Sequence, residues 1–272
     1  MRHKPGKLKY VLAAHGREHH EHARLDLLQQ IFDPISRKRL DIVRPGWRCL
    51  EIGVGRGSIA EFLSERVGPA GEVVGTDINL GPSSDITLQN GRFVLHDFLV
   101  DPLEPLGGPG SFDLIHTRFL LLHMVGHQDE AIRRMVDLLK PGGWLVIEEI
   151  ETLTSCAVDP MHPLSEAFEQ GLAHMVDIML ASGTVDPKPG RTLPLRFADA
   201  GLSHIRHEAL LPVERGGSKL ARWYMESVDG ARGGYEDDLY HHGGDLTQKA
   251  LSEPDFWFQG CAEHCAWGRK PG

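Results

Sequence analysis

The sequence predicts an α/β fold in which a mostly parallel sheet carries helices on both faces. Three observations carry that prediction. The runs Arg48–Ile52 and Glu72–Thr76 are apolar, strand-length and separated by a segment of helical spacing, with Ile59, Phe62, Leu63 and Val67 on one face. The turn between the first strand and that helix, Gly53–Val54–Gly55–Arg56–Gly57–Ser58, is rich in glycine, so a ligand can approach its main chain closely. Asp77 then closes the second strand, about 20 residues past the turn, where a carboxylate accepts hydrogen bonds from both hydroxyls of a nucleotide's ribose.

The remaining elements follow in order. Leu25, Leu27, Leu28, Ile31 and Phe32 form a helical stripe that Asp33–Pro34 is expected to break, and a second short helix from Ile35 leads to the Arg44–Pro45–Gly46 turn. The charged first half of the stripe reads as a solvated face. His15, His19, His20 and His22 lie within it, but no further ligand stands at metal-binding spacing, so no metal is assigned. Gly91–His96 is a third strand, and Phe112, Leu114 and Ile115 are the core of a fourth. The amphipathic helix Asp129–Lys140 precedes a fifth strand, which Glu148, Glu149 and Glu151 close. The long helix 163–180 has an apolar face of Phe168, Leu172, Met175, Val176 and Met179, expected mainly to pack on the sheet, although such methionines also suit an organic substrate. Residues 203–213 alternate as a sixth strand, residues 230–244 are polar and glycine-rich and read as a loop, and residues 256–270 hold a last strand. Alternation along that strand puts Cys261 and Cys265 on one face and His264 on the other, against a zinc site.

Composition narrows the class. At 41% hydrophobic and 25% charged, 272 residues suffice for one large core. A formal charge of -9 argues against nucleic acid as partner, since phosphate contacts call for a basic face. No apolar run approaches the ~20 residues of a membrane span, and Met1–Gly6 lacks a signal peptide's apolar core, so a cytoplasmic protein is expected. Cys49, Cys156, Cys261 and Cys265 are too few and scattered for a disulfide framework, and reduced thiols are expected.

Which nucleotide the turn serves is decided by spacing. A dinucleotide fingerprint needs a glycine where Ser58 stands, and a phosphate loop needs a Gly-Lys-Ser/Thr that is absent. Leu50–Glu51–Ile52–Gly53–Val54–Gly55–Arg56–Gly57 resembles instead the first motif of class I S-adenosylmethionine-dependent methyltransferases. The Asp97–Phe98 pair after the third strand resembles that family's adenine-binding pair, and Phe112–His116 with Arg118–His123 resembles its fourth strand and following helix in bacterial small-molecule enzymes. Leu139–Lys140–Pro141–Gly142–Gly143 and the closing Trp267–Gly268–Arg269 match two further family signatures.

The resemblance implies a single-domain, Rossmann-like, seven-stranded sheet with its last strand antiparallel. It assigns residues 1–44 to a helical cap, 45–152 to the cofactor-binding core, 153–194 to an inserted substrate lid and 195–272 to the rest of the sheet. It implies S-adenosyl-L-methionine as cofactor, held by Tyr10, Glu51, Gly53, Gly55, Gly57, Asp77, Ile78, Asn79, Asp97, Phe98, His116 and Arg118. Glu51 suits a loop that cradles a sulfonium rather than a phosphate, and apolar Ile78 is placed to lie on the adenine face. His116, at the strand edge where open sheets place ligands, and His123 are the candidate general bases. Both also read as structural, and methyl transfer needs little beyond proximity and alignment. The expected activity is methylation of an O, N or C atom of a small molecule, such as a secondary metabolite, by a monomer or homodimer. The alternatives are a cyclisation on the bound cofactor and, further off, an NADP-dependent reductase.

Overall fold

The structure is a computed structural model, and it describes residues 18–231 and 238–272. Its first element, α1 (Glu18–Arg39), runs unbroken through Pro34, contrary to the break expected there. An interior proline costs a helix about 3 kcal/mol. Anchors on both sides of it offset that cost: Phe32 is in the core, and Ser36 and Arg39 are buried in an ion network with Glu148 and Glu263. A 3-10 turn, Leu40–Ile42, hands the chain to β1 (Arg48–Ile52).

Strand β1 passes through the glycine turn into α2 (Ser58–Val67), followed by β2 (Glu72–Asp77), β3 (Gly91–Leu95), β4 (Phe112–Arg118), α3 (Gln128–Leu138) and β5 (Leu139–Glu151). In β5 the Pro141–Gly142–Gly143 stretch bulges out of register, so that Phe112 faces Leu139 but Leu114 faces Trp144. After the two-residue β6 (Cys156–Ala157) come α4 (Ser165–Ser182), α5 (Pro189–Asp199), β7 (Ser203–Leu210), β8 (Val213–Arg215), α6 (Lys219–Ala231), α7 (Asp238–Ser252), β9 (Trp257–Gln259) and β10 (Ala262–Arg269). Helices therefore occupy the described part of 230–244, where composition predicted a loop.

Among the described residues the main sheet has seven strands in the order β3-β2-β1-β4-β5-β10-β7. Strands β1 to β5 pair in parallel, and β10 runs antiparallel between β5 and β7. A second, three-stranded sheet, β6-β9-β8, was not foreseen; its strands are only two or three residues long, too short for alternation to register. One apolar layer packs α3 and α5 on the sheet, a second packs α2, and a third joins α1, α4 and α6 above the strand ends. Contrary to expectation α4 packs against α7 rather than on the sheet, at a close crossing where Gly171 meets the Gly243 backbone.

Candidate functional site

The strand order reverses beside β1, and open α/β sheets form a ligand crevice at such a switch point, outside the carboxyl ends of the strands. Gly53 and Gly55 take φ of +78° and +51°, angles that a side chain would strain. The turn is pinned to β2 by the Gly53 N–H, which donates to the Thr76 carbonyl at 2.7 Å, and by the Gly55 N–H, which donates to Asp77 Oδ2 at 3.1 Å. Asp77 Oδ1 accepts from the Asn79 N–H at 3.0 Å. Burial pushes the Asp77 carboxyl up, and these backbone donors pull against it. Among the described residues this carboxylate is held by amides alone, and it keeps lone pairs suited to sugar hydroxyls.

Above this turn lies a cavity of about 390 Å³, roofed by α1, α4 and α6. Of the residues singled out from sequence, Glu51, Gly53, Gly55, Asp77, Ile78, Asn79, Asp97, Phe98, Arg118 and His123 border it. Phe98 is buried in the core and edges the cavity under the Arg134 guanidinium, while Asp97 spends Oδ1 on the Leu99 N–H at 3.1 Å. Arg118 turns toward α1, donating to Asp33 Oδ1 at 2.9 Å and Ser36 Oγ at 2.8 Å. Tyr10 lies outside the described residues, as does His15.

Two candidates fall away from the cavity wall. Gly57 takes φ of +86°, so this glycine serves the backbone of the turn, and a Cβ there would meet Ile86 and Phe93 only at ordinary contact distance. His116, expected at the strand edge as a base, is fully buried beneath the turn. Its Nδ1 bonds Glu51 Oε2 at 2.6 Å, and its Nε2 bonds Glu148 Oε1 at 3.3 Å. Burial alone would lower its pKa, but the Glu51 and Glu148 carboxylates outweigh burial and raise it to about 9. At neutral pH the ring is an imidazolium donating from both nitrogens, with no lone pair left for a substrate proton. Glu51, in turn, spends Oε2 on that ring; burial pushes its carboxyl up, and His116 and Arg118 pull against that.

His123 does border the cavity, and burial lowers its pKa to about 3, so it stays neutral and is a weak base. It stands on a turn that Glu149 anchors: Glu149 Oε1 accepts the N–H groups of Leu120 at 2.8 Å and Leu121 at 2.5 Å. Phe119, just before that turn, has φ of +55°, uncommon for a bulky residue. Its ring packs edge-on to Phe32 at 5.0 Å.

The sequence reading also missed residues. Glu21 and Arg24, assigned to a solvated face, are each 5% exposed and border the cavity. They form a two-pronged pair, Arg24 Nε to Glu21 Oε2 at 2.9 Å and Arg24 Nη2 to Glu21 Oε1 at 2.8 Å. The i, i+3 spacing was visible, but only the fold turns that face inward. Among the described residues no three His, Cys, Asp or Glu side chains converge to hold a metal ion, and no helix is long and apolar enough to cross a membrane.

This sheet order, glycine turn and acid-ended second strand are the arrangement of nucleotide-binding α/β proteins. The family model described as "Methyltransferase domain" matches residues 16–207. Methyltransferase str2 of Strobilurus tenacellus is 33% identical over 213 residues, 75% of this chain and 71% of that one. The ubiquinone/menaquinone biosynthesis C-methyltransferase UbiE of Laribacter hongkongensis is 36% identical over 132 residues, 46% of this chain and 50% of that protein, so the chain spans about half the length of this relative. The crystal structure of YcgJ from Bacillus subtilis superposes with a TM-score of 0.55 over 88% of this chain and 97% of that one; at 18% identity it speaks to fold alone. The chain belongs to the class I S-adenosylmethionine-dependent methyltransferases.

Proposed function

We propose that this protein transfers the methyl group of S-adenosylmethionine to an O, N or C atom of a small organic molecule, such as a secondary metabolite. One observation carries the reading: a single cavity runs from the Asp77 carboxylate and the Gly53–Gly55 turn to an apolar wall on α4 and α6. Its two ends differ in chemistry as a nucleoside and an organic acceptor differ.

In this reading Asp77 accepts hydrogen bonds from the ribose hydroxyls, Ile78 and Phe98 flank the adenine, and Asp97 takes its exocyclic amine. The turn at Gly53 and Gly55 lets the methionine part lie against the main chain. The bound cofactor supplies an electrophilic methyl on a sulfonium, and what remains for the protein is to align the acceptor and exclude water. Helices α1, α4 and α6 exclude the water. With His116 already protonated and His123 held neutral with a pKa of about 3, alignment rather than proton abstraction by either ring carries the rate.

The test is calorimetry with S-adenosylmethionine, S-adenosylhomocysteine and NADP, followed by a screen of small molecules with methyl-labelled cofactor. Micromolar binding of the first two and label in a small product are expected. Binding of NADP alone would overturn the reading, and turnover that leaves the label on the cofactor would assign a cyclisation instead.

A further inference from the structure

The two ends of the cavity differ in charge as well as in shape. Every charged side chain that borders it among the described residues comes from α1 or from β1 to β4 and the turns that follow them. The wall built by α4, α6, Ile150, Thr152, Ser155, Val185 and Cys261 carries none. An ionised group seated there would lose its water and find no counter-ion, a burial the protein does not compensate.

That wall does hold a connected polar cluster. The Cys261 N–H donates to Tyr224 Oη at 2.6 Å, and the same oxygen lies 2.7 Å from Ser155 Oγ and 2.6 Å from Cys261 Sγ. The phenol has one proton to give. If it donates to Ser155, the serine's own proton is left over; if it donates to the thiol, Ser155 donates to the phenol and keeps its lone pairs. Either way Ser155, half-buried and bordering the cavity, retains hydrogen-bonding capacity that Tyr224, already bonded on three sides, does not. The other hydroxyls of this wall already donate their single proton to carbonyls, Thr152 to Pro187 at 3.2 Å and Ser227 to Trp223 at 2.7 Å, and so can only accept. Beside the cluster the Trp223 indole N–H is buried, its residue 5% exposed, with no hydrogen-bond partner among the described residues.

We propose that Ser155, oriented by Tyr224, is the specificity-determining contact for a neutral, largely apolar acceptor that carries one hydrogen-bonding oxygen. The proposal rests on the methyltransferase reading, since it is the same cavity that takes the cofactor. The apolar body of such a molecule lies against Leu172, Met175, Val176 and Met179, and its oxygen meets the Ser155 hydroxyl. Tyr224 is a positioning residue, because its hydroxyl acts through Ser155.

The experiment uses the whole protein saturated with S-adenosylhomocysteine at pH 7.5, titrated in a calorimeter with 2-naphthol, naphthalene and 2-naphthoate. These probes share a ring system and differ in one neutral oxygen or one charge. Wild type is expected to bind 2-naphthol about tenfold tighter than naphthalene, the worth of one hydrogen bond in a dry site, and to bind 2-naphthoate at least tenfold more weakly than 2-naphthol. Ser155→Ala removes the preference for 2-naphthol over naphthalene, whereas Ser155→Thr, which keeps the hydroxyl, restores it. Equal or tighter binding of 2-naphthoate, an unchanged preference in Ser155→Ala, or binding of none of the three overturns the proposal. Binding of S-adenosylhomocysteine, measured first on every variant, separates the readings. Its absence in wild type defeats the methyltransferase assignment, and its presence without the expected preferences defeats only the role of Ser155.

Discussion

Replacing His116 by glutamine separates a catalytic from an electrostatic role for this ring. Glutamine keeps most of the volume but carries no charge, so Glu51 and Glu148, bonded to the imidazole at 2.6 and 3.3 Å, lose the cation between them. Glu148 still has Arg39 at 3.1 Å and the Ser36 hydroxyl at 2.8 Å; among the described residues Glu51 has no second side-chain hydrogen bond. Removing one member of a buried pair costs about 3–5 kcal/mol. For a chain of this length each kcal/mol lowers the melting temperature by about 2–4 °C, so His116→Gln should melt on the order of 10 °C below wild type. The assay is a thermal melt by circular dichroism, with S-adenosylhomocysteine binding and labelled-methyl transfer measured at 15 °C, where the variant is folded. Affinity and turnover are expected within about fivefold of wild type. A general base contributes about 10²–10⁴ in rate. A variant that melted within 2 °C of wild type yet lost a hundredfold in transfer would refute the electrostatic role.

The same ring sets a pH dependence. Its folded pKa of about 9 lies above its unfolded value of about 6.5, so its stabilisation is complete below pH 6.5 and is lost as pH rises through 9. Glu149, whose pKa burial pushes up to about 8, adds a loss in the same direction as it ionises. Melting temperature should therefore fall between pH 6.5 and 9, less steeply in His116→Gln; a flat or rising profile in wild type counts against this account. Asp77→Ala removes charge-assisted hydrogen bonds worth about 1.5–3 kcal/mol, so cofactor affinity measured by calorimetry should drop about ten- to a hundredfold with the fold intact, and an unchanged affinity would place the ligand elsewhere. Gly171→Ala puts a Cβ 2.5 Å from the Gly243 carbonyl of α7 and 2.6 Å from Thr247 Oγ1. Overpacking of that kind costs about 1–3 kcal/mol; a differential scanning trace should move down by several degrees, and an upward shift would mean the two helices are not so close.

What the sequence disclosed was what is local. The glycine turn, the acid after β2 and the helix between them are signalled within thirty residues, because the backbone angles of the turn and the end of a strand are set by near neighbours. Pairings across the sheet were not. Glu51 and His116 each stood out singly, but they lie 65 residues apart and meet only because β1 pairs with β4 in a register that sets them side by side. That pairing turned a supposed base into a buried cation. Glu21 and Arg24 misled for the opposite reason: a charged helix face is normally solvated, and only the cavity below α1 gives this one a buried lining to make. Pro34 is the sharpest case of tertiary structure overriding a local signal, since the helix persists where ion pairs and core contacts hold both of its halves. The Ser155, Tyr224 and Cys261 cluster draws on β9–β10, α6 and the stretch after β5, and no spacing rule links residues so far apart.

Helix α1 runs on through Pro34 as one element of 22 residues. Leu25 and Leu28, in its first half, sit over the cavity, while Arg39, at its far end, is clamped by Glu148, Glu208 and Glu263. Lifting this roof as one body moves Arg39 as well. Tilting it far enough to admit an acceptor drags on the clamp, so the carboxylates that grip Arg39 also set how readily the doorway opens, and weakening that grip should quicken exchange of whatever lies beneath.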